Sequence, residues 1–595
     1  DNAREDTLPE RLQTSNDVIP VAPENCLVSQ GNTKNVDNVI INFGEITKNQ
    51  QEEIEYYDNT RPWTKKNMCC YCFKEVTHFS RHLQRNHKEE RAVKELLNLP
   101  VGNPKRKELL DIMRRQGNYL YSNQSNTIRP VRRPKGIFGN ETEVTANIEN
   151  GKNKYVACPD CFGFFKRNFL RRHRKTCERR PKRRDPCNRE NHLTAAQIFT
   201  VCSGAYNDFY NTLRLKDEVF SIMRSDEIST AAMKDVLICC YAESLLRKHK
   251  RTQIRNSISN KMRELGRLVI NLKQSTGIQN LADALKPEFF DNIVSCTKII
   301  SGYDAESRTY KAASLALHMG TTITQVCDIA TKMIIKNSRF LPCQDKELSL
   351  KNIKRLKGLI ESRWNSELSS LALKDLNEKK WEKPKLLPLT SDVMEFQQYL
   401  MKNGQEACDN ILNQVKVNQE YRRLTEISLS LTLLLNRKRI GEVQFLKVKT
   451  YTTENSINNQ EEFFLTLSES EKLLTKNFKR VVTGGKGSKP VAILFPKDIQ
   501  KFIKVMLSVR NDCVPETNEY LFANPSTKNK WLSGYHVLKK LASASGVKNQ
   551  NLFTSTRLRK QIATVLQVMT INDSEMEQFA AFMGHTRKTH EAFYR

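Results

Sequence analysis

Apolar and polar positions change rhythm several times along the chain. Residues 1 to about 60 are polar, more acidic than basic and rich in Asn, Gln and Glu. No apolar period holds there, which predicts a disordered acidic tail. Between Lys88 and Gly117, apolar residues recur at Val93, Leu96 and Leu97 and again at Leu109, Ile112 and Met113. That spacing predicts two short helices, split by Pro100 and Pro104. Residues 118–150 read as a linker holding the basic stretch Arg129 to Lys135. From about Leu193 to Leu376 the pattern is helix after helix, clearest in 228–249 and 257–273, where strong helix formers fall at amphipathic spacing. Pro384 and Pro388 mark the next boundary. Helical patterning then runs on to 595 with one interruption. Phe463–Leu467 and Val491–Phe495 read as strands flanking the turn Gly484-Gly-Lys-Gly487. The predicted fold class is a multi-domain, mainly α chain with small cysteine/histidine units and a small β-hairpin or sheet near its C-terminal end.

Composition narrows the partner. A chain of 595 residues exceeds what one core usually organises. With 38% hydrophobic residues, much of it folds, and a net charge of +31 points to a polyanion, nucleic acid first. A merely solvated basic surface is disfavoured, because the basic residues cluster beside cysteine motifs. The 16 cysteines form no evenly spaced secreted framework, and no signal peptide opens the sequence. No apolar run approaches the roughly 20 residues of a membrane span. The expectation is a reducing, intracellular compartment, no membrane partner, and double-stranded DNA in the nucleus.

Two segments carry metal-ligand spacing. In Cys69-x2-Cys72-x9-His82-x4-His87, the two thiolates share one knuckle and the two imidazoles can face one side of a short helix. Four N/S ligands suit tetrahedral zinc. His78, at His78-x3-His82, is a competing ligand, and Phe79 and Leu83 are mini-core candidates. The second set is Cys158-x2-Cys161-x11-His173-x3-Cys177, with Phe165 and Leu170 as core candidates. Zinc at two fully protein-ligated sites is structural. The second segment also carries Lys166, Arg167, Arg171, Arg172 and Arg174, a density suited to DNA phosphates.

Near the C-terminus, several ordinary motifs stand in a suggestive order. They are Arg439-Ile-Gly-Glu442 after the apolar run 429–435, then Gly484-Gly-Lys486-Gly-Ser-Lys489, then Thr554-Ser-Thr556-Arg557-Leu-Arg559, and finally Gly584-His585 with Tyr594 nine positions after the histidine. Phosphodiester exchange by a tyrosine needs a nucleophile that becomes covalently attached, fixed cations on the non-bridging oxygens, and an acid for the leaving oxygen. No cofactor is required in principle, because one ester is exchanged for another. Arginine suits the phosphate better than lysine, since its planar fork holds two oxygens at once.

This ordered set resembles the catalytic domain of tyrosine recombinases over roughly 386–595. The resemblance implies that Arg439, Arg559 and His585 hold the scissile phosphate, with Glu442 supporting the site. It implies Tyr594 as the nucleophile, forming a 3′-phosphotyrosyl bond, and Lys486 as the general acid, Lys489 being the alternative. Thr556 stands where the family's second box has histidine. His590, one turn before Tyr594, is a decoy or a supporting group. Together with the Cys/His segments, the pattern resembles proteins of Crypton-type DNA transposons, mobile elements that encode a tyrosine recombinase. The resemblance further implies a homo-oligomer on paired DNA sites and a helix beyond the tyrosine, whereas the sequence stops at Arg595.

The expected organisation is an acidic tail at 1–60, a zinc finger at 61–92, short helices and linker at 93–150, and a second finger with a basic tract at 151–184. A helical core-binding-like domain at 190–385 and an α+β catalytic domain at 386–595 follow. The expected function is DNA recombination, integration or transposition. The alternative is a catalytically inactive, domesticated DNA-binding protein of transcription or chromatin that retains the fold.

Overall fold

The computed structural model describes residues 66–125, 129–131, 155–180, 191–202, 207–249, 252–382, 386–453, 472, 476–485, 490–527 and 529–568, with the isolated positions 574, 577, 578 and 582. Residues 1–64 group separately from the unit formed by 65–595. The described part of that unit is mainly helical, with four two-stranded antiparallel hairpins. Among the described residues no helix is long and apolar enough to cross a membrane.

Two small ββα units come first. In one, Asn67–Met68 pairs with Glu75–Val76 ahead of the helix Phe79–Asn86; in the other, Tyr155–Ala157 pairs with Phe164–Lys166 ahead of Arg167–Thr176. Phe79, Leu83 and Leu170 are buried as expected, but Phe164 is more deeply buried than Phe165. The helices after the first unit are Arg91–Leu97 and Pro104–Ser125. The second runs further than its apolar spacing predicts, through Gly117 into the expected linker. A side chain at Gly117 would collide with the Met68 carbonyl. The bare glycine lets the helix lie against the hairpin, where Asn118 accepts from Met68 N–H at 3.0 Å. Polar residues thus continue a helix because they have tertiary partners.

Part of the expected linker is also structural. Arg129 donates to Lys66 O at 2.9 Å and to Glu75 Oε1 at 2.6 Å on the first unit, while Val131 N–H donates to Phe164 O at 3.0 Å on the second. Tyr119 stacks on Phe199 with ring centres 4.9 Å apart and lies 5.9 Å from both Phe162 and Phe164.

One hydrophobic core spans Val201 to Ala372. Its centre is the helix Ala313–Ile335, which buries Leu315, Ala316, Met319, Ile323, Val326, Cys327, Ala330 and Ile334 at three- and four-residue steps. Each large side chain buried there contributes about 1.5–3 kcal/mol. A Cβ on Gly320 would stand 2.8 Å from the Trp364 ring, so glycine makes room for Trp364, whose indole N–H donates to Ala316 O at 3.1 Å. The expected helix 228–249 is two helices, Glu227–Lys234 and Val236–Lys248. The break is Asp235, whose carboxylate accepts from Ile238 N–H at 3.0 Å and from Leu281 N–H at 2.7 Å, capping the second helix and holding a distant loop.

A second core spans Val393 to Leu558. It surrounds the helix Val417–Asn436, which is buried over most of its length. Two of its inward hydroxyls are satisfied locally, Thr425 donating to Tyr421 O and Thr432 to Ser428 O, each at 2.7 Å, whereas those of Ser428 and Ser430 are buried without a partner among the described residues. The long hairpin pairs Phe478–Gly484 with Pro490–Pro496, with Gly484 opposite Pro490. This corrects the strand expectation: the partner of Val491–Phe495 is Phe478–Gly484, whose alternation is masked by Lys479 and Arg480. Phe463–Leu467 lies outside the described residues. Thr252 Oγ1 and Tyr520 Oη, 3.0 Å apart, link the two parts by a hydrogen bond.

Candidate functional site

The ββα shape follows from spacing that puts thiols on a hairpin knuckle and imidazoles on the following helix. Cys69, Cys72, His82 and His87 bring one ligand atom each within 4.8 Å of one another, and so do Cys158, Cys161, His173 and Cys177. His78 is exposed and stands outside the first cluster. The donor sets fit zinc, and one detail of the first favours it. His87 Nε2 is buried with no hydrogen-bond partner among the described residues, an expensive state for imidazole nitrogen unless it binds a metal. The Asn86 side-chain amide meets His82 Nδ1 through its nitrogen at 2.9 Å, and only with the amide turned over would its oxygen accept from that ring N–H once Nε2 is a ligand.

In the second cluster, hydrogen bonds from Cys158 and then Cys177 hold the Cys161 thiol far below its usual range. Burial opposes charge on His173, but the Cys161 and Cys177 sulfurs outweigh it and raise the imidazole to about 9. The same contacts push the Cys158 thiol far above its usual range. Phe165 stacks on the His173 ring with centres 3.7 Å apart and orients it.

The arginines of that helix divide into two groups. Arg174 is 3% exposed and pairs with Asp160 Oδ2 at 3.0 Å. Arg167 donates to the Ser225 carbonyl and, at 2.9 Å, to its hydroxyl. Both differ from the sequence expectation of phosphate contact, because charge density along a helix does not say which face turns inward. Lys166, Arg171 and Arg172 are exposed.

The second centre is the turn Asn436-Arg437-Lys438-Arg439. Arg437 takes a left-handed conformation, φ 51°, and ends the helix. Arg439 caps the start of the next helix, Ile440–Gln444. Glu442 accepts from Arg439 N–H at 3.1 Å and from its guanidinium at 3.0 Å, so the pair fixes its own geometry.

Three distant segments converge on this turn. Asn436 pairs with both main-chain groups of Leu494, donating to its carbonyl at 2.8 Å and accepting from its N–H at 2.7 Å. That clamp holds the hairpin Phe478–Pro496, between whose strands Lys486 falls in sequence. The Ser555 hydroxyl donates to Lys438 O at 2.8 Å and so holds the helix Ser555–Val568, which carries Arg559. Thr554 caps that helix, accepting from Arg557 N–H at 3.3 Å. Lys438 Nζ donates to Phe582 O and lies 3.3 Å from the centre of the Phe582 ring. Phe582 stands three positions before His585 in sequence.

The electrostatics of the turn are unusual. Lys438 is 1% exposed and Arg559 4% exposed. Burial, with the charges of Arg559 and Arg439 against the pull of Glu442, lowers the Lys438 ammonium to about 8. Both arginines therefore act electrostatically on one lysine. Excess positive charge at a partly desolvated site is costly without an anion. Thr556 is exposed, one residue into its helix. Lys486, Lys489, His585, His590 and Tyr594 lie outside the described residues.

Asn436 and Lys438 were not singled out in the sequence. The available signal was the run Asn-Arg-Lys-Arg at the end of an apolar helix, which shows charge but not partners.

No family model and no curated protein matches the sequence. Among solved structures, the chain is similar to the XerH site-specific recombinase bound to its difH substrate in a pre-cleavage complex, at 12% identity and TM-score 0.34, covering 69% of this chain and 94% of that one. It is also similar to XerH bound to palindromic difH in a post-cleavage complex, at 13% identity and TM-score 0.33, covering 70% and 94%. For XerA recombinase the values are 11% and 0.23, covering 60% and 91%. These TM-scores are low, so the weight falls on the geometry of the site.

Proposed function

We propose that this chain is a zinc-dependent DNA-binding protein that cleaves and rejoins duplex DNA through a 3′-phosphotyrosyl intermediate, as a tyrosine recombinase or transposase of Crypton type acting in the nucleus as an oligomer. One observation carries the reading. The turn Asn436–Arg439 holds the hairpin before Lys486, the helix of Arg559 and the segment ending at Phe582. Arg439 and the helix of Arg559 are thus tied to one buried, cationic turn, an arrangement that supports phosphoryl transfer.

In this reading the phenol of Tyr594 gives up its proton to solvent as its oxygen attacks phosphorus, and the bond to the 5′ oxygen breaks as the tyrosyl ester forms. Lys486 supplies the proton that the leaving oxygen takes up. Arg439 and Arg559 hold the non-bridging oxygens, Glu442 keeps Arg439 in register, and His585 contacts the same phosphate. Zinc shapes the two N-terminal units and takes no part in the exchange.

A second reading rests on Thr556. A hydroxyl stands where the resemblance leads one to expect imidazole, and it supplies neither a proton relay nor a cation. It favours a domesticated protein that binds DNA without cutting it. Nicked suicide duplexes, including a randomised pool, separate the two readings. A covalent adduct with the wild type and none with Tyr594→Phe is the expected result; retained binding without any adduct overturns the catalytic reading in favour of the second.

A further inference from the structure

The helix Arg167–Thr176 turns one face into its own fold and leaves the other open. Leu170 and Arg174 are buried, and Arg167 is engaged with Ser225. On the open side Lys166, Phe169, Arg171, Arg172 and Lys175 are exposed. Phe169 is 52% exposed, and the Arg172 guanidinium lies 6.0 Å from its ring centre. A flat apolar group three residues from a cation on either side is a surface arranged for a polar but aromatic partner rather than for water.

A ββα unit enters the major groove helix-first and offers the residue before the helix, and the third and sixth helical residues, to three successive bases. Here the helix begins at Arg167 with Lys166 as its cap. Those positions are Lys166, Phe169 and Arg172, and all three are exposed. We propose that this face reads a G-T-G triplet on one strand of duplex DNA. Arg172 and Lys166 donate to O6 and N7 of the outer guanines, and Phe169 packs on the methyl of the central thymine. Arg171 and Lys175 flank the triad and take phosphates. Of the two other arginines of the helix, Arg167 holds the unit to Ser225 and Arg174 is buried against Asp160 within the unit, and neither touches DNA. The proposal rests on the reading of the chain as a protein of duplex DNA, and base preference is measured without strand cleavage, so the two stand or fall separately.

The test is selection from a randomised duplex pool by the full-length, zinc-loaded chain at about physiological salt, followed by sequencing. G-T-G is expected among the retained sequences. Arg172→Ala and Lys166→Ala each flatten one outer position, by ~5–150-fold, the equivalent of one good base contact. Phe169→Ala flattens the middle position. Arg172→Gln moves its outer preference from guanine to adenine, a change that misfolding cannot produce. Arg171→Ala weakens all sequences alike and lowers the salt slope by about 1. The proposal is overturned if no triplet is enriched, if the triplet survives all three alanine variants, or if a single-stranded RNA pool of the same composition is captured more tightly. Loss of adduct formation with the triplet preference intact overturns the catalytic reading alone.

Discussion

The Ser555 hydroxyl donates to the main-chain carbonyl of Lys438 at 2.8 Å, across 117 positions of sequence. It ties the first residue of the Arg559 helix to the residue preceding Arg439. The geometry between the two arginines is therefore set by main chain and a short hydroxyl rather than by the long side chains themselves, which makes it stiff. A site for a developing phosphorane needs that stiffness, because its cations must not rearrange during reaction.

Asn436→Ala should destabilise the 390–568 core by about 1–3 kcal/mol, because the two main-chain groups of Leu494 lose their partner together. Urea unfolding measures this. Amide exchange at Leu494 should accelerate more than at Ile493. A loss spread evenly over both cores argues against a local clamp.

Lys438 gives a pH signature. Its folded value is lowered from 10.5 to about 8 by burial and by Arg559 and Arg439, despite Glu442. Between those values the unfolded chain binds more protons than the folded one, so the lysine's contribution to stability rises as pH climbs from about 8 to 10.5. Below pH 8 the cost of the buried ammonium is present in full. The stability difference between wild type and Lys438→Met should therefore move in favour of wild type on going from pH 7 to pH 10. A flat difference means the ammonium is solvated.

Zinc analysis should return two equivalents per chain. His87→Ala and Cys158→Ser should each remove one, measured by mass spectrometry after dialysis. Chelation should unfold the two ββα units first, since a structural metal supplies much of the folding free energy of such units. His78→Ala should leave metal content unchanged, as His78 lies outside the cluster.

Arg439→Ala should cut the rate of adduct formation by about 10²–10³-fold with little change in DNA affinity, the loss typical of one charge-stabilising donor. Glu442→Gln should cost less, because the amide still accepts from Arg439 N–H while losing the ionic partner of the guanidinium. Single-turnover assays on nicked duplex separate the two effects. If affinity falls as much as rate, Arg439 is a general phosphate contact.

The metal clusters were legible because their chemistry is local: four donors within 20 residues, at spacings that a hairpin and one helical turn convert into a tetrahedron. The helical patterning of 193–376 was legible for the same reason. What stayed hidden depends on partners far away. Asn436 reads as a helix end until Leu494 is placed beside it, 58 positions on. Lys438 reads as a surface lysine until Phe582 is found over its ammonium, 144 positions on. The strand Phe478–Gly484 was obscured by its own charges, and Arg174 by those of its neighbours. Charge counts report how much cation a segment carries; they are silent on which side of a helix meets the core.

The strap at Arg129–Val131 has a thermodynamic consequence. It bonds to the hairpin of one ββα unit and to a strand of the other, with Tyr119 wedged among aromatic rings beside it. Ordering either unit therefore prepays part of the entropy of ordering its neighbour. By reciprocity, an ion at the first site raises affinity at the second by the same factor that the second raises it at the first. Two sets of ligands that look like separate beads on the sequence are in this way coupled through one strap, so that an ion held at either would favour the filling of the other.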